Sequence, residues 1–137
     1  MGMRLGLVTE TFSPAEDQSW LGSAHAVETA ESVTLDADKF LTAFPTGIVP
    51  SGVVIAKITA TSLYAPYTDA ATHGAGTDAA AGHLLTTTDL HGTTAGTAVD
   101  TPVPYIWHGQ VIEAKLPTNH GLTAAGKADM AGRIHYV

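Results

Sequence analysis

Seven histidines, thirteen acidic residues and no cysteine set the chemistry open to this chain. His73, His83 and His91 follow one another at ten and eight residues, which matches no compact ligand motif, and no HExxH is present. His25, His108, His120 and His135 fall in four separate segments, so the histidines read as loop and turn residues and no metal site is expected. Asp36 and Asp38 in LDADKF open like a calcium loop, but Phe40 stands at the third ligand position and Leu41 where the glycine belongs. Asp36 is better read as a helix cap. Gly74-Ala75-Gly76 is half of a dinucleotide fingerprint, without a strong strand before it or a helix after it, and no phosphate-binding Gly-Lys-Ser/Thr occurs. Of the serines, 13, 19, 23, 32, 51 and 62, none sits in a Gly-x-Ser-x-Gly elbow. Ser23 and His25 are neighbours in sequence, which means little because triads are assembled across a fold. Most carboxylates lie in the N-terminal stretch or in turns, as solvated groups do. Without cysteine there is neither thiolate chemistry nor a disulfide framework. The residues predict no enzyme and no cofactor.

The elements that would position a binding surface come next. The chain's 137 residues fit one domain, and a 45% apolar fraction is enough for a core. Charged residues make up only 14%, against roughly 25% in average proteins, so Thr, Ser, Ala and Gly must form much of the surface. Such a surface suits close contact with neighbours. The net charge is −7, and Arg4, Lys39, Lys57, Lys115, Lys127 and Arg133 are scattered singly. Nucleic acid binding needs clustered cations, so neither nucleic acid nor an anionic membrane is an expected partner. No apolar run of about eighteen residues occurs, and the N-terminus lacks the apolar stretch of a signal peptide, which predicts a protein made in the cytoplasm.

Residues 1–31 hold no sustained period and carry isolated bulky side chains. They read as an extended arm that orders on a partner, with Leu5, Leu7, Phe12, Trp20 and Leu21 as contact residues and Trp20 as anchor. Tryptophan is rare in truly disordered chain and frequent at interface hot spots. Residues 32–137 read as a compact, mainly β domain with one or two short helices. Val33 and Leu35 mark a strand, Asp36 caps a helical turn over 37–41, and residues 52–60 form a strand buried on one side and half-buried on the other. Residues 68–81 read as a loop, 83–88 as a strand, and 91–101 as a second loop. A hairpin is expected from Val103, Tyr105 and Trp107 through His108-Gly109 to Ile112, Ala114 and Leu116. Thr123 should cap a helix over 124–131, stopped by Gly132, and a strand should follow at 134–137.

From Ser32 to Val137 the order of motifs resembles the phage head decoration family of the lambda-like small head protein type. The carriers are Gly47-Ile48-Val49-Pro50-Ser51-Gly52 before the strand Val53 to Ile58, then Leu63-Tyr64-Ala65-Pro66-Tyr67. After them come Gly76-Thr77-Asp78-Ala79-Ala80-Ala81-Gly82-His83-Leu84-Leu85, Gly109-Gln110-Val111-Ile112 and the closing Ile134-His135-Tyr136. His83 departs from the pattern, standing where an aliphatic residue is usual. The resemblance implies a β-tulip-like domain on the capsid exterior of the virion, assembled as homotrimers at threefold and quasi-threefold positions of the expanded head. It implies the major capsid protein as partner, with the N-terminal arm lying against it. The alternative reading is a carbohydrate- or receptor-binding β module of a phage tail or fibre, with Tyr64, Tyr67, Tyr105 and Trp107 as a sugar platform.

Overall fold

The computed structural model describes residues 16–68, 79–91 and 97–137. They form a mainly β domain of nine strands and two short α-helices, as the residue pattern predicts. Five strands close a barrel in the order β1 (Glu31–Leu35), β4 (Tyr64–Pro66), β3 (Val54–Lys57), β5 (Ala80–Leu84) and β7 (Thr101–Ile106). β1 and β7 pair antiparallel over five residues, from Glu31 opposite Tyr105 to Leu35 opposite Thr101. A single parallel contact, Leu35 beside Tyr64, closes the ring. Two small sheets sit outside it. β2 (Ile48–Val49) pairs antiparallel with β6 (Thr88–Asp89), and β8 (Gly109–Val111) pairs parallel with β9 (Ile134–Tyr136).

Proline in β7 looks hostile to a closed barrel, because each proline removes a ladder donor. The Pro104 carbonyl accepts from the Leu85 amide at 3.1 Å and so faces β5. By strand alternation Pro102 faces the same way, leaving Thr101, Val103 and Tyr105 to pair with β1. β5 meets β7 over only two register pairs, His83 with Ile106 and Leu84 with Tyr105, so no donor is missed. On its other side β5 is bulged. Ile55 faces Gly82 and Ala56 faces Ala80, which leaves Ala81 as the extra residue. Its carbonyl accepts from the Arg133 guanidinium at 2.9 Å.

The strands bury both faces. Val53, Ile55, Leu84, Val103 and Tyr105 join Leu35, Phe40 of α1 (Ala37–Ala43) and its C-cap Phe44 inside the barrel. Val54, Ala56, Ala80 and Ile106 point outward into a second cluster with Trp20, Tyr67, Val111, Met130 and Ile134. The segment 52–60 is therefore buried on both sides up to Lys57, where one side was expected to be half exposed. The caps fall where the sequence places them. Asp36 accepts from the Lys39 amide at α1, and Thr123 accepts from Gly126 at α2 (Ala124–Asp129).

The expected hairpin does not form. β7 ends at Ile106, and Gly109, at φ +129°, redirects the chain. β8 then pairs with β9, the Gly109 amide donating to the Arg133 carbonyl at 2.9 Å. Residues 113–115 turn into a 3₁₀ helix. Alternation at Ile112, Ala114 and Leu116 was a pattern without a strand. The expected loop 68–81 likewise ends early, since Ala80 and Ala81 belong to β5.

Gly82 of β5 lies directly against β7. A Cβ there would collide with the Ile106 carbonyl oxygen and lie 2.9 Å from Tyr105 Cδ2, both held by the barrel. Gly82→Ala should cost at least about 2 kcal/mol in urea unfolding. Unchanged stability would mean that β5 and β7 are less tightly apposed than described.

Candidate partner-binding site

The domain does not begin at residue 32. Residues 16–22 lie along its outside, and their even-numbered side chains face inward. The Glu16 carboxylate accepts from the Thr87 amide at 2.9 and 3.1 Å. Gln18 Nε2 donates to the Leu85 carbonyl at 2.8 Å. Trp20 is fully buried, and its Nε1 donates to Ser51 Oγ at 3.0 Å. Ser51 in turn donates to the Leu85 carbonyl at 2.7 Å, so that one oxygen serves both Gln18 and Ser51 through its two lone pairs. The backbone is tied as well. Ile112 donates to the Trp20 carbonyl at 2.6 Å, Leu21 bridges Val111 antiparallel, and Gly22 donates to the Gln110 carbonyl at 2.9 Å.

This placement corrects the reading of Trp20 and Leu21 as arm residues awaiting a partner. Trp20 is 0% exposed within the domain's own core, and Leu21 packs partly buried against the same cluster. A large aromatic finds its apolar surroundings inside the fold, so it is not available as a surface anchor. Leu5, Leu7 and Phe12 lie outside the described residues. Among the described residues the domain therefore starts at residue 16, not at residue 32. The period-two arrangement of Glu16, Gln18 and Trp20 was the available signal, masked because two of the three inward residues are polar.

Beneath Trp20 lies His83, which the histidine spacing reads as a loop or turn residue. His83 is fully buried in β5, with its ring stacked on Trp20 at 5.5 Å between centroids and 29° between planes. Nδ1 is 2.7 Å from the Gly52 carbonyl and Nε2 is 2.7 Å from the Tyr136 hydroxyl. A carbonyl can only accept, so Nδ1 carries the proton and Nε2 accepts from Tyr136. Burial, which penalises the charged ring, brings the His83 pKa down to about 4 from 6.5. Burial likewise pushes the Tyr136 phenol well above the usual tyrosine range, keeping it a donor. Because the folded pKa is depressed, the stability this pair of states confers is fully present above pH 6.5. It is lost as pH falls to about 4, and amounts to about 3 kcal/mol. Gly52, at φ +104°, makes this possible. A Cβ there would meet Pro117 Cδ at 2.8 Å and Trp20 Nε1 at 3.1 Å.

The stapled segment passes a cavity of about 290 Å³ lined by Asp17, Thr46, Ile48, Pro50, Lys115 and Pro117, among others. Its walls are largely aliphatic and proline carbon, with Asp17 and Lys115 supplying opposite charges. Hydrogen bonds from Ser19 hold the Asp17 carboxyl below its ordinary range. Residue 16 thus meets the rest of the chain at a fixed point beside a small concave surface.

The remaining candidates are dispersed. Ser51 Oγ is engaged with Trp20 and Leu85, so it is not paired with a histidine base. No group of three or more His, Asp or Glu capable of holding a metal occurs among the described residues. The four aromatics of the sugar-platform reading do not share a face. Tyr67 is buried in the outer cluster, and Tyr105 is buried inside the barrel, its ring 5.8 Å from the half-buried Tyr64. Trp107 packs beside the inner cluster and donates to the Thr29 carbonyl at 3.0 Å. Burial brings the Tyr105 phenol up to about 12, with Tyr64 adding to the shift.

Trp20→Ala should destabilise the whole domain by about 3 to 5 kcal/mol, the usual cost of emptying a buried aromatic site. Urea unfolding followed by far-UV circular dichroism measures it. A loss below about 1 kcal/mol would return Trp20 to the surface. No protein-family model, curated protein or solved structure matches the chain.

Proposed function

We propose that this chain is a phage head decoration protein, which binds the outside of the expanded capsid as trimers and stabilises the shell. The observation that carries the reading is the stapled exit at residue 16. Side chains of Glu16, Gln18 and Trp20 hold residues 16–20 against the domain. A tether that starts from a fixed point loses less freedom on binding than one hung from a mobile terminus. Leu5, Leu7 and Phe12 on that tether are the residues assigned to the major capsid protein. Support also comes from the resemblance over residues 32–137, the acidic and weakly charged composition, and the engagement of Ser51 and His83 in structural bonds. Crosslinking of neighbouring capsid subunits by such a tether stabilises the assembled state by mass action.

The test is attachment to capsids with the domain held constant. A variant lacking residues 2–15 should melt within a few degrees of the full chain, since the staple begins at Glu16. Its occupancy on purified expanded heads, scored by co-sedimentation at limiting concentration, should fall by about tenfold or more, equivalent to about 1.4 kcal/mol. Full decoration by the shortened chain would refute the role given to the tether. Failure of the full chain to bind any expanded head, together with retention on a glycan array, would favour the tail-fibre reading. A deletion extended to residue 21 is uninformative, because it removes Trp20 from the core.

A further inference from the structure

We propose that His83 is an acid-responsive latch, holding residues 16–22 and β9 against the barrel at neutral pH and releasing them in acid while the barrel stays closed. The proposal is independent of what the tether binds. His83 belongs to β5 and cannot leave the barrel, but two of the walls around it can. One is Trp20 from the stapled segment, and the other is Tyr136 from β9, its ring 5.7 Å away.

The groups facing the ring come from every neighbouring element. Ser51 and the Gly52 carbonyl lie in the turn before β3, and Met130 follows α2, with its sulfur 3.6 Å from the Tyr136 hydroxyl. Lys127 of α2 stands 5.9 Å from the centre of the Tyr136 ring and pairs with Glu113 at 2.6 Å. Arg133 acts electrostatically on Tyr136, and His120 on His83 itself. Neither ring nitrogen of His83 meets a carboxylate, since their partners are a carbonyl and a phenol.

Protonation places a second N–H at Nε2, aimed at an oxygen that had been donating. Tyr136 must then turn its hydrogen to the Met130 sulfur, a weak acceptor. Among the described residues no carboxylate meets the buried cation, and His120 acts against its charge. Lifting Trp20 or Tyr136 admits water and relieves both problems. The docked arrangement therefore loses about 100-fold in its equilibrium as pH falls from 6.5 to about 4. The terminal segments open first because their hold on the barrel is local, while the barrel strands are paired on both sides.

Trp20 is the reporter once Trp107 is replaced by Phe. Its emission should shift to the red between pH 6.5 and 4 while far-UV circular dichroism is retained. His83→Leu should abolish that shift. Asp89→Asn, which removes the carboxylate paired with His91 outside the stack, should preserve it. Hydrogen exchange on the unaltered chain decides the matter if His83→Leu fails to fold. With intrinsic rates corrected, the amides of Gly22, Ile112 and Val137 should lose protection at about pH 4.5 while those of Asp36 and Leu84 keep theirs. The latch is overturned if the shift coincides with loss of the circular dichroism signal, survives in His83→Leu or vanishes in Asp89→Asn. Uniform loss of amide protection, or none, overturns it equally.

Discussion

Trp20 lying on His83 is the contact through which the outer half of the molecule is organised. A tryptophan is too large to be seated by a single strand, and its N–H must find an acceptor wherever it is buried. Ser51 supplies that acceptor, and the glycine beside it leaves the space that the indole occupies. The imidazole beneath supplies a flat face, and its two nitrogens are satisfied by the Gly52 carbonyl and the Tyr136 hydroxyl. Each polar atom in this stack has a partner, which is what allows polar chemistry to sit in an apolar cluster without penalty. Because Trp20 precedes the barrel in sequence and Tyr136 follows it, one histidine joins parts of the chain that share no strand pairing with each other.

The barrel and its outer layer meet different demands. Inside, the described residues are aliphatic and aromatic, packed against α1 with no buried charge among them. Outside, the chain turns on backbone carbonyls gathered by single side chains. Arg133 collects those of Ala81 and Trp107 at 2.9 and 2.8 Å, tying the bulge of β5 to the end of β7. Gly109 then turns the chain away from a hairpin and into the β8–β9 sheet. A surface poor in charge results from this arrangement, because several of the few ionisable groups are employed in holding loops.

Much of this was legible from the residues, and the failures have identifiable causes. The helix caps at Asp36 and Thr123 and the closing strand were readable because their signals are local. The barrel strands β1 and β3 were readable from β-branched residues. The hairpin was misread because alternation alone does not distinguish a strand from a 3₁₀ turn, and the competing partner, Arg133, lies more than twenty residues away. Trp20 was placed on an arm because its neighbours are polar, whereas Glu16 and Gln18 bond to backbone and leave no hydrophobic trace. His83 was counted among loop histidines, although its place in an aliphatic slot of the strand was the clue to its burial.

The outer cluster is assembled from the two ends of the described chain, and this has a bearing on synthesis. Inside the barrel, packing draws on residues 35 to 105, so most of it can form while the C-terminal part is still being made. The outer cluster needs Trp20 together with Met130 and Ile134. Contacts so distant in sequence form late, since the intervening loop must be closed first. Until residues 130–136 have left the ribosome, Trp20 has only half of its binding surface. The early segment therefore waits in the open, with its indole exposed, for the last strand to arrive.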